Sequence, residues 1–391
     1  MPEPESPRES TGFHLRRPVS LKDSRYPGAT GAWVAEMEFP LARPIHDVVE
    51  RNLKANLLAY RDLPARTHIL TATAHWLRQS YGWDVPERSL ACVGDIIAGY
   101  ESVMRMLVPP DAPIIVPLPA YPPLLNTARC FGRTVIEIAS VQDETGRFVL
   151  DYERIDAVLT PYSLFVLTNP FNPTGQSFTR EELERLAQLI DRHDALVFSD
   201  EVHCPIILNK QVHHIPYATI NETAARHTVS AYSASKAFNI AGLKCAQLVF
   251  GSPELRETWF RAASFYADGA SRLGLLANIA AYTDPACEEW LADTLDVLRA
   301  NLALVKRRLD NYASYLSYSQ NDATYLLWVD ARKLPLEGSI AEYLLKDARL
   351  AVADGAEYGV PGFFRLNFAL DPTRLAEATD RMCHSFDRII P

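Results

Sequence analysis

The run Ser233-Ala234-Ser235-Lys236-Ala237-Phe238-Asn239 sets a lysine beside two serines. It follows residues 228–232 (TVSAY), whose apolar and β-branched content predicts a strand. Open α/β sheets bind ligands at the carboxyl ends of their strands, so Lys236 stands where chemistry is expected. A lysine amine condenses with carbonyl compounds to form Schiff bases, and the flanking hydroxyls suit a phosphate. Three further runs carry reactive or rigid residues. They are Pro119-Ala120-Tyr121-Pro122-Pro123, Asn169-Pro170-Phe171-Asn172-Pro173-Thr174-Gly175 and Asp200-Glu201-Val202-His203.

Each of these runs follows an apolar stretch. Residues 113–117 (PIIVP), 164–168 (LFVLT), 196–199 (LVFS), 228–232 and 246–250 (AQLVF) are expected strands. Residues 181–193 read as an amphipathic helix, apolar at Leu183, Leu186, Leu189 and Ile190, with Thr179 as its N-cap. Alternating strands and helices imply an α/β fold with a mostly parallel sheet covered on both faces. In such a sheet the four loops share one edge and converge on one crevice. Beyond residue 284 the pattern changes to a long helix (288–312), a strand (325–330) and a strand-like segment (363–368) carrying Arg365. The expected organisation is an N-terminal tail and arm (1–45), a large domain (46–283) and a small α+β domain (284–391).

Composition narrows the function. The chain has 391 residues, 48% hydrophobic and 22% charged, enough for a large core. A net charge of -9 argues against nucleic acid or an anionic membrane as partner. No apolar run is long enough to span a bilayer. Residues 1–11 are rich in Pro, Glu and Ser, as in a disordered tail rather than a signal peptide. The six cysteines are scattered, which fits a reduced, cytoplasmic compartment. His203-Cys204 has no partner spacing for a metal, and none is expected.

In combination and in order, these runs resemble the fold-type I enzymes of the aminotransferase class I/II superfamily, which use pyridoxal 5'-phosphate. The similarity runs from about Trp33 to Phe386 and is greatest to the MalY/PatB branch of cystathionine β-lyase-like C–S lyases. Its motifs include Ser199-Asp200-Glu201-Val202-His203, Ser235-Lys236-Ala237-Phe238-Asn239-Ile240-Ala241-Gly242-Leu243 and Phe364-Arg365-Leu366-Asn367. The resemblance implies a mostly parallel seven-stranded-type sheet. It makes Lys236 the Schiff-base lysine and proton carrier, Asp200 the partner of the pyridine nitrogen, and Tyr121 a ring-stacking residue. Asn172 and His203 would lie near the ring hydroxyl oxygen. The backbone at Ile96 and Ile97, with Ser233 and Lys244, would hold the phosphate. Arg365 would bind the α-carboxylate of an amino acid substrate. Tyr60 would reach the phosphate of a neighbouring subunit, implying a homodimer with shared sites.

The N-terminal stretch WVAEMEF carries Glu36 and Glu38 where the family usually has aspartates, and Gly99 is small where some relatives are bulky. Glu36 is placed near the substrate entrance, and Gly99 implies either a roomier pocket or close helix packing. The expected reaction is β-elimination from an S-substituted L-cysteine, giving thiol, pyruvate and ammonia. The alternatives are transamination, or decarboxylation coupled to oxidative deamination of a cysteine conjugate, as in lincosamide-type biosynthesis.

Overall fold

The computed structural model describes residues 20–60, 63–263 and 267–391. Seven strands form the main sheet: β1 (Leu90–Val93), β2 (Ile114–Leu118), β3 (Val135–Ala139), β4 (Leu164–Thr168), β5 (Leu196–Asp200), β6 (Thr228–Tyr232) and β7 (Ala246–Phe250). Their order is β1-β7-β6-β5-β4-β2-β3. Only β7 runs against its neighbours, β1 and β6. Strands β2, β4, β6 and β7 are buried along their whole length, as their mostly apolar runs require when helices cover both faces.

Register places the chemistry. Thr168 of β4 pairs with Asp200 of β5, and Asp200 pairs with Ala231 of β6. The loops after these strands therefore start level with one another, and their side chains meet above the same sheet edge. Between β4 and β5 runs the helix Arg180–Arg192, opened by a reciprocal capping box of Thr179 and Glu182. The turn at Asn172 closes on Gly175, which has φ +76°. A Cβ there would come within 2.3 Å of the Asn321 side chain, so only glycine fits.

A second, antiparallel sheet contains β8 (Ser317–Tyr318), β9 (Leu326–Asp330), β10 (Ala353–Asp354) and β11 (Phe363–Asn367), in the order β8-β9-β11-β10. The 25-residue helix Pro285–Leu309 precedes it. Gly99 lies in the helix Ile96–Leu107, where a Cβ would sit 2.9 Å from Leu248 and 3.3 Å from Val93. Its smallness serves close packing of that helix on the sheet, the second of the two readings above. Among the described residues, no helix is long and apolar enough to cross a membrane.

Residues 33–37 form a strap between the two sheets. Arg365 Nη2 donates to Trp33 O (2.7 Å), and Asn367 Nδ2 donates to Val34 O and Glu36 O (2.7 and 2.6 Å). Asn239 closes a two-way pair with the Met37 backbone, both bonds at 2.9 Å. Glu38 turns away from the crevice. Its carboxylate binds Arg374 (2.7 Å), buried Lys22 (3.3 Å) and the Asp371 N–H (3.0 Å). Asn367 also accepts from Ala369 N at 2.7 Å. Asn367→Leu strips three hydrogen bonds from buried backbone groups and should cost about 2–4 kcal/mol. A urea titration should show a lower midpoint at unchanged slope; an unmoved midpoint would contradict the pinned strap.

Candidate active site

The convergent loops enclose a cavity of about 200 Å³ lined by Ile96, Ile97, Tyr121, Asn172, Asp200, His203, Ser233, Ser235, Lys236 and Lys244, among others. Nine of the expected site residues therefore share one space. Arg365, on β11, adjoins it by donating from Nη1 to Asn172 Oδ1 at 3.0 Å. Glu36 lies on the strap beside Ala35, which lines the cavity. Tyr60 lies outside it, 98% exposed.

Lys236 is carried out of β6 by the Ser233–Ala234–Ser235 turn, and its Nζ donates to Ala35 O at 3.1 Å. Burial lowers its pKa to about 8, aided by the Arg365 charge and opposed by Asp200 and Glu36. Asp200 closes β5. Its carboxylate accepts one hydrogen bond, from Val202 N at 3.2 Å, and burial raises its pKa to about 6. No ion pair joins Asp200 to Lys236. His203 follows on the next turn. Burial, then the Lys236 and Arg365 charges, lower its pKa to about 3, so the imidazole is neutral. Its Nδ1 is buried without a partner. Tyr121 stands at the start of the helix Pro122–Cys130, and burial raises its phenol pKa.

The far end of the cavity is an anion cup. Asp95 caps the helix Ile96–Leu107 by accepting from Ala98 N at 2.8 Å. The Ile96 and Ile97 amides belong to the first turn, where no intrahelical acceptor exists, and they carry the positive end of the helix dipole. Lys244 lies across the cup, paired with Asp95 at 2.5 Å. Ser233 is committed elsewhere: its Oγ donates to Cys245 O (2.6 Å) and accepts from Ser235 N (3.0 Å). Ser233 thus fixes the turn, and both Ser233 and Ser235 line the cavity. At the opposite end, Arg365 Nε is buried and unpartnered, and its guanidinium lies 4.9 Å from the Tyr358 ring centre.

An uncompensated carboxylate, an orphan imidazole nitrogen and an orphan guanidinium N–H around one cavity are costly unless a guest satisfies them. The guest they fit is planar and polar, with an anionic end for the helix terminus and a second anionic group for Arg365. A larger cavity, about 960 Å³, lies beyond Cys204 and Ala234 and gathers none of these groups.

Residues 35–382 match the family model for aminotransferase class I and II. The chain belongs to that family. Cystathionine β-lyase of Corynebacterium glutamicum is 28% identical over 94% of this chain and 97% of its own. PatB of Bacillus subtilis, a cystathionine β-lyase, is 26% identical over 90% of each. Among solved structures, a Corynebacterium diphtheriae protein provisionally described as a PLP-dependent β-cystathionase superposes with a TM-score of 0.85 at 31% identity. That match covers 94% of this chain and 96% of the other.

Sequence reasoning assigned no role to Tyr325, which contacts two parts of the site. Its hydroxyl donates to Ala35 O at 3.1 Å and its ring meets His203 edge-on, with centroids 6.1 Å apart. The signal was weak because Tyr325 directly precedes the strand Leu326–Asp330 and reads as an ordinary apolar residue leading into it. The backbone of the strap was equally unreadable, because its carbonyls act through position rather than residue type.

The raised Asp200 pKa makes a stability prediction for the cofactor-free protein. A carboxyl whose folded pKa of about 6 exceeds its unfolded value stabilises the fold only while protonated, so stability falls as pH rises through this range. Asp200→Asn should stabilise the cofactor-free protein by about 1–3 kcal/mol at pH 7.5. Thermal unfolding across pH should show the gain vanishing near pH 4. An equal gain at both pH values would contradict an uncompensated Asp200 charge.

Proposed function

We propose that this protein is a pyridoxal-phosphate-dependent C–S β-lyase that converts S-substituted L-cysteines to a thiol, pyruvate and ammonia. One observation carries the reading: the buried Lys236 amine shares a cavity with the buried Asp200 carboxylate, which has no ion pair, and beside that cavity Arg365 keeps a buried open donor. Bound pyridoxal phosphate supplies a carbonyl carbon for amine condensation and a ring that withdraws electrons from the substrate Cα. Lys236 would hold that carbonyl carbon, Asp200 would face the ring nitrogen, and Tyr121 a ring face. Asn172 and neutral His203 suit the ring hydroxyl oxygen. The Ile96 and Ile97 amides, Ser233 and Lys244 suit the phosphate, with Ser235 beside them in the cavity lining.

The chain's own groups then handle the amino acid. Arg365 grips the α-carboxylate through Nε and the Nη atoms, which orients Cα toward Lys236. The freed Lys236 amine takes the Cα proton and delivers it to the sulfur as the Cβ–S bond breaks. Its lowered pKa leaves a useful share of neutral base at physiological pH. Asp200 stays ionised beside a cation, because a positive ring nitrogen removes the penalty that raises its pKa. Elimination, rather than transamination, is supported by relatives named cystathionine β-lyase. Glu36, on the strap at the entrance, falls on the substrate side. Tyr60, exposed outside its own cavity, would reach the phosphate of a second copy in a homodimer. Six free thiols support a cytoplasmic setting.

Incubation of the loaded protein with a panel of cysteine S-conjugates, without any keto acid, should release pyruvate and free thiol together. A strict requirement for a keto acid, with no thiol released, would overturn the lyase reading. Lys236→Ala should lower the rate by about 10²–10⁴-fold. Arg365→Lys keeps the charge but loses the fork. It should raise KM about tenfold or more, the equivalent of roughly 1.4 kcal/mol of binding.

A further inference from the structure

Ala35 O is used twice. Lys236 Nζ donates to it at 3.1 Å, and so does the Tyr325 hydroxyl at 3.1 Å. Tyr325 is fully buried and held rigidly. Its backbone O accepts from Phe368 N at 3.0 Å, and its ring edge rests on His203. The preceding residue, Thr324, has φ +66°, a left-handed conformation that a β-branched residue adopts at a cost. Thr324 is kept there by its N–H on Ile206 O (2.8 Å) and by the Leu326 N–H on its own hydroxyl (3.2 Å). Strain of this kind, held by surrounding bonds, marks a side chain whose position matters.

We propose that the Tyr325 hydroxyl weakens the hold of the Ala35 carbonyl on the Lys236 amine, keeping that amine available as a base. A carbonyl has two lone pairs and can serve both donors. Each donor draws electron density from the same oxygen, so each bond is weaker than it would be alone. A bond to the charged form of Lys236 favours that form. Tyr325 therefore biases Lys236 toward its neutral state, in the same direction as its burial. The charged and titratable groups around Lys236 are Asp200 at the end of β5, His203 in the loop after it, Tyr121 and Lys244 in the same cavity lining, Arg365 on β11, and Glu36 on the strap. Tyr325 differs from these groups, because it acts on the acceptor of the Lys236 hydrogen bond. It is a positioning residue, and its role rests on the assignment of Lys236 made above.

The test compares the wild-type protein with Tyr325→Phe, which keeps the ring on His203 and removes only the donor. Cofactor-free protein is mixed with pyridoxal phosphate, and the rate of absorbance change is followed across pH. Capture by wild type should rise through a midpoint near pH 8. The variant's midpoint should lie about half a unit to one unit higher. In the loaded enzyme, kcat at pH 7 should fall about three- to tenfold with KM within about twofold, and the loss should be recovered as pH rises. A fluorinated tyrosine installed at position 325, a stronger donor of the same shape, should move the midpoint down. That arm decides the matter if the phenylalanine variant folds poorly. An unmoved midpoint in the folded variants, or a loss of kcat that is the same at every pH, would overturn the proposal. Failure of wild type to capture pyridoxal phosphate would instead overturn the assignment of Lys236.

Discussion

The costliest feature of this structure is the burial of Lys236 and Asp200 in one cavity with no ion pair between them. Each is desolvated and titrates toward neutrality, and the charge of the other offsets that burial only in part. Pairing them would be easier on the fold and useless for chemistry, because a lysine locked to a carboxylate is a poor base. The remaining architecture keeps them close and apart. Asp200 is fixed by its place at the end of β5, in register between Thr168 and Ala231. Lys236 leaves β6 through a turn that Ser233 ties to Cys245 O. The lysine amine is then drawn to Ala35 O, on a strap from the far N-terminal side.

That strap links the two sheets to the chemistry. Arg365 and Asn367 of β11 reach across to its carbonyls, while Asn239, three residues after Lys236, reads the backbone of Met37. One short segment thus registers the arginine on the second sheet against the lysine on the first. Glu38 anchors it outward through Arg374 and Lys22. Two glutamates spaced by one residue consequently differ: Glu38 anchors the fold through its carboxylate, while the charge of Glu36 acts on Lys236.

Much of this was legible in the sequence. The stretches at 164–168, 228–232 and 246–250 are strands with those limits, because fully buried strands carry mostly apolar runs. Their loops were informative because Lys, Asp and His after a buried strand are expensive unless used. Edge strands were harder. Val135–Ala139 is half-exposed and carries Glu137, and Leu90–Val93 spans only four residues, so neither shows a clear period. The strap and Tyr325 stayed hidden for another reason. Asn239 and Met37 are 202 residues apart, and the bonds that matter end on backbone atoms. Ser233 and Ser235 could be recognised as a pair of hydroxyls, but only geometry shows that Ser233 ties the turn to Cys245 O.

The central claim is that Lys236, among all the lysines, is the amine the fold has prepared for a carbonyl partner. Loading the protein with pyridoxal phosphate, reducing with borohydride and mapping the peptides by mass spectrometry tests it directly. The pyridoxyl mass should appear on the peptide containing Lys236 and be lost in Lys236→Ala. A label carried by Lys244 or by any surface lysine, with Lys236 unmodified, would contradict the account.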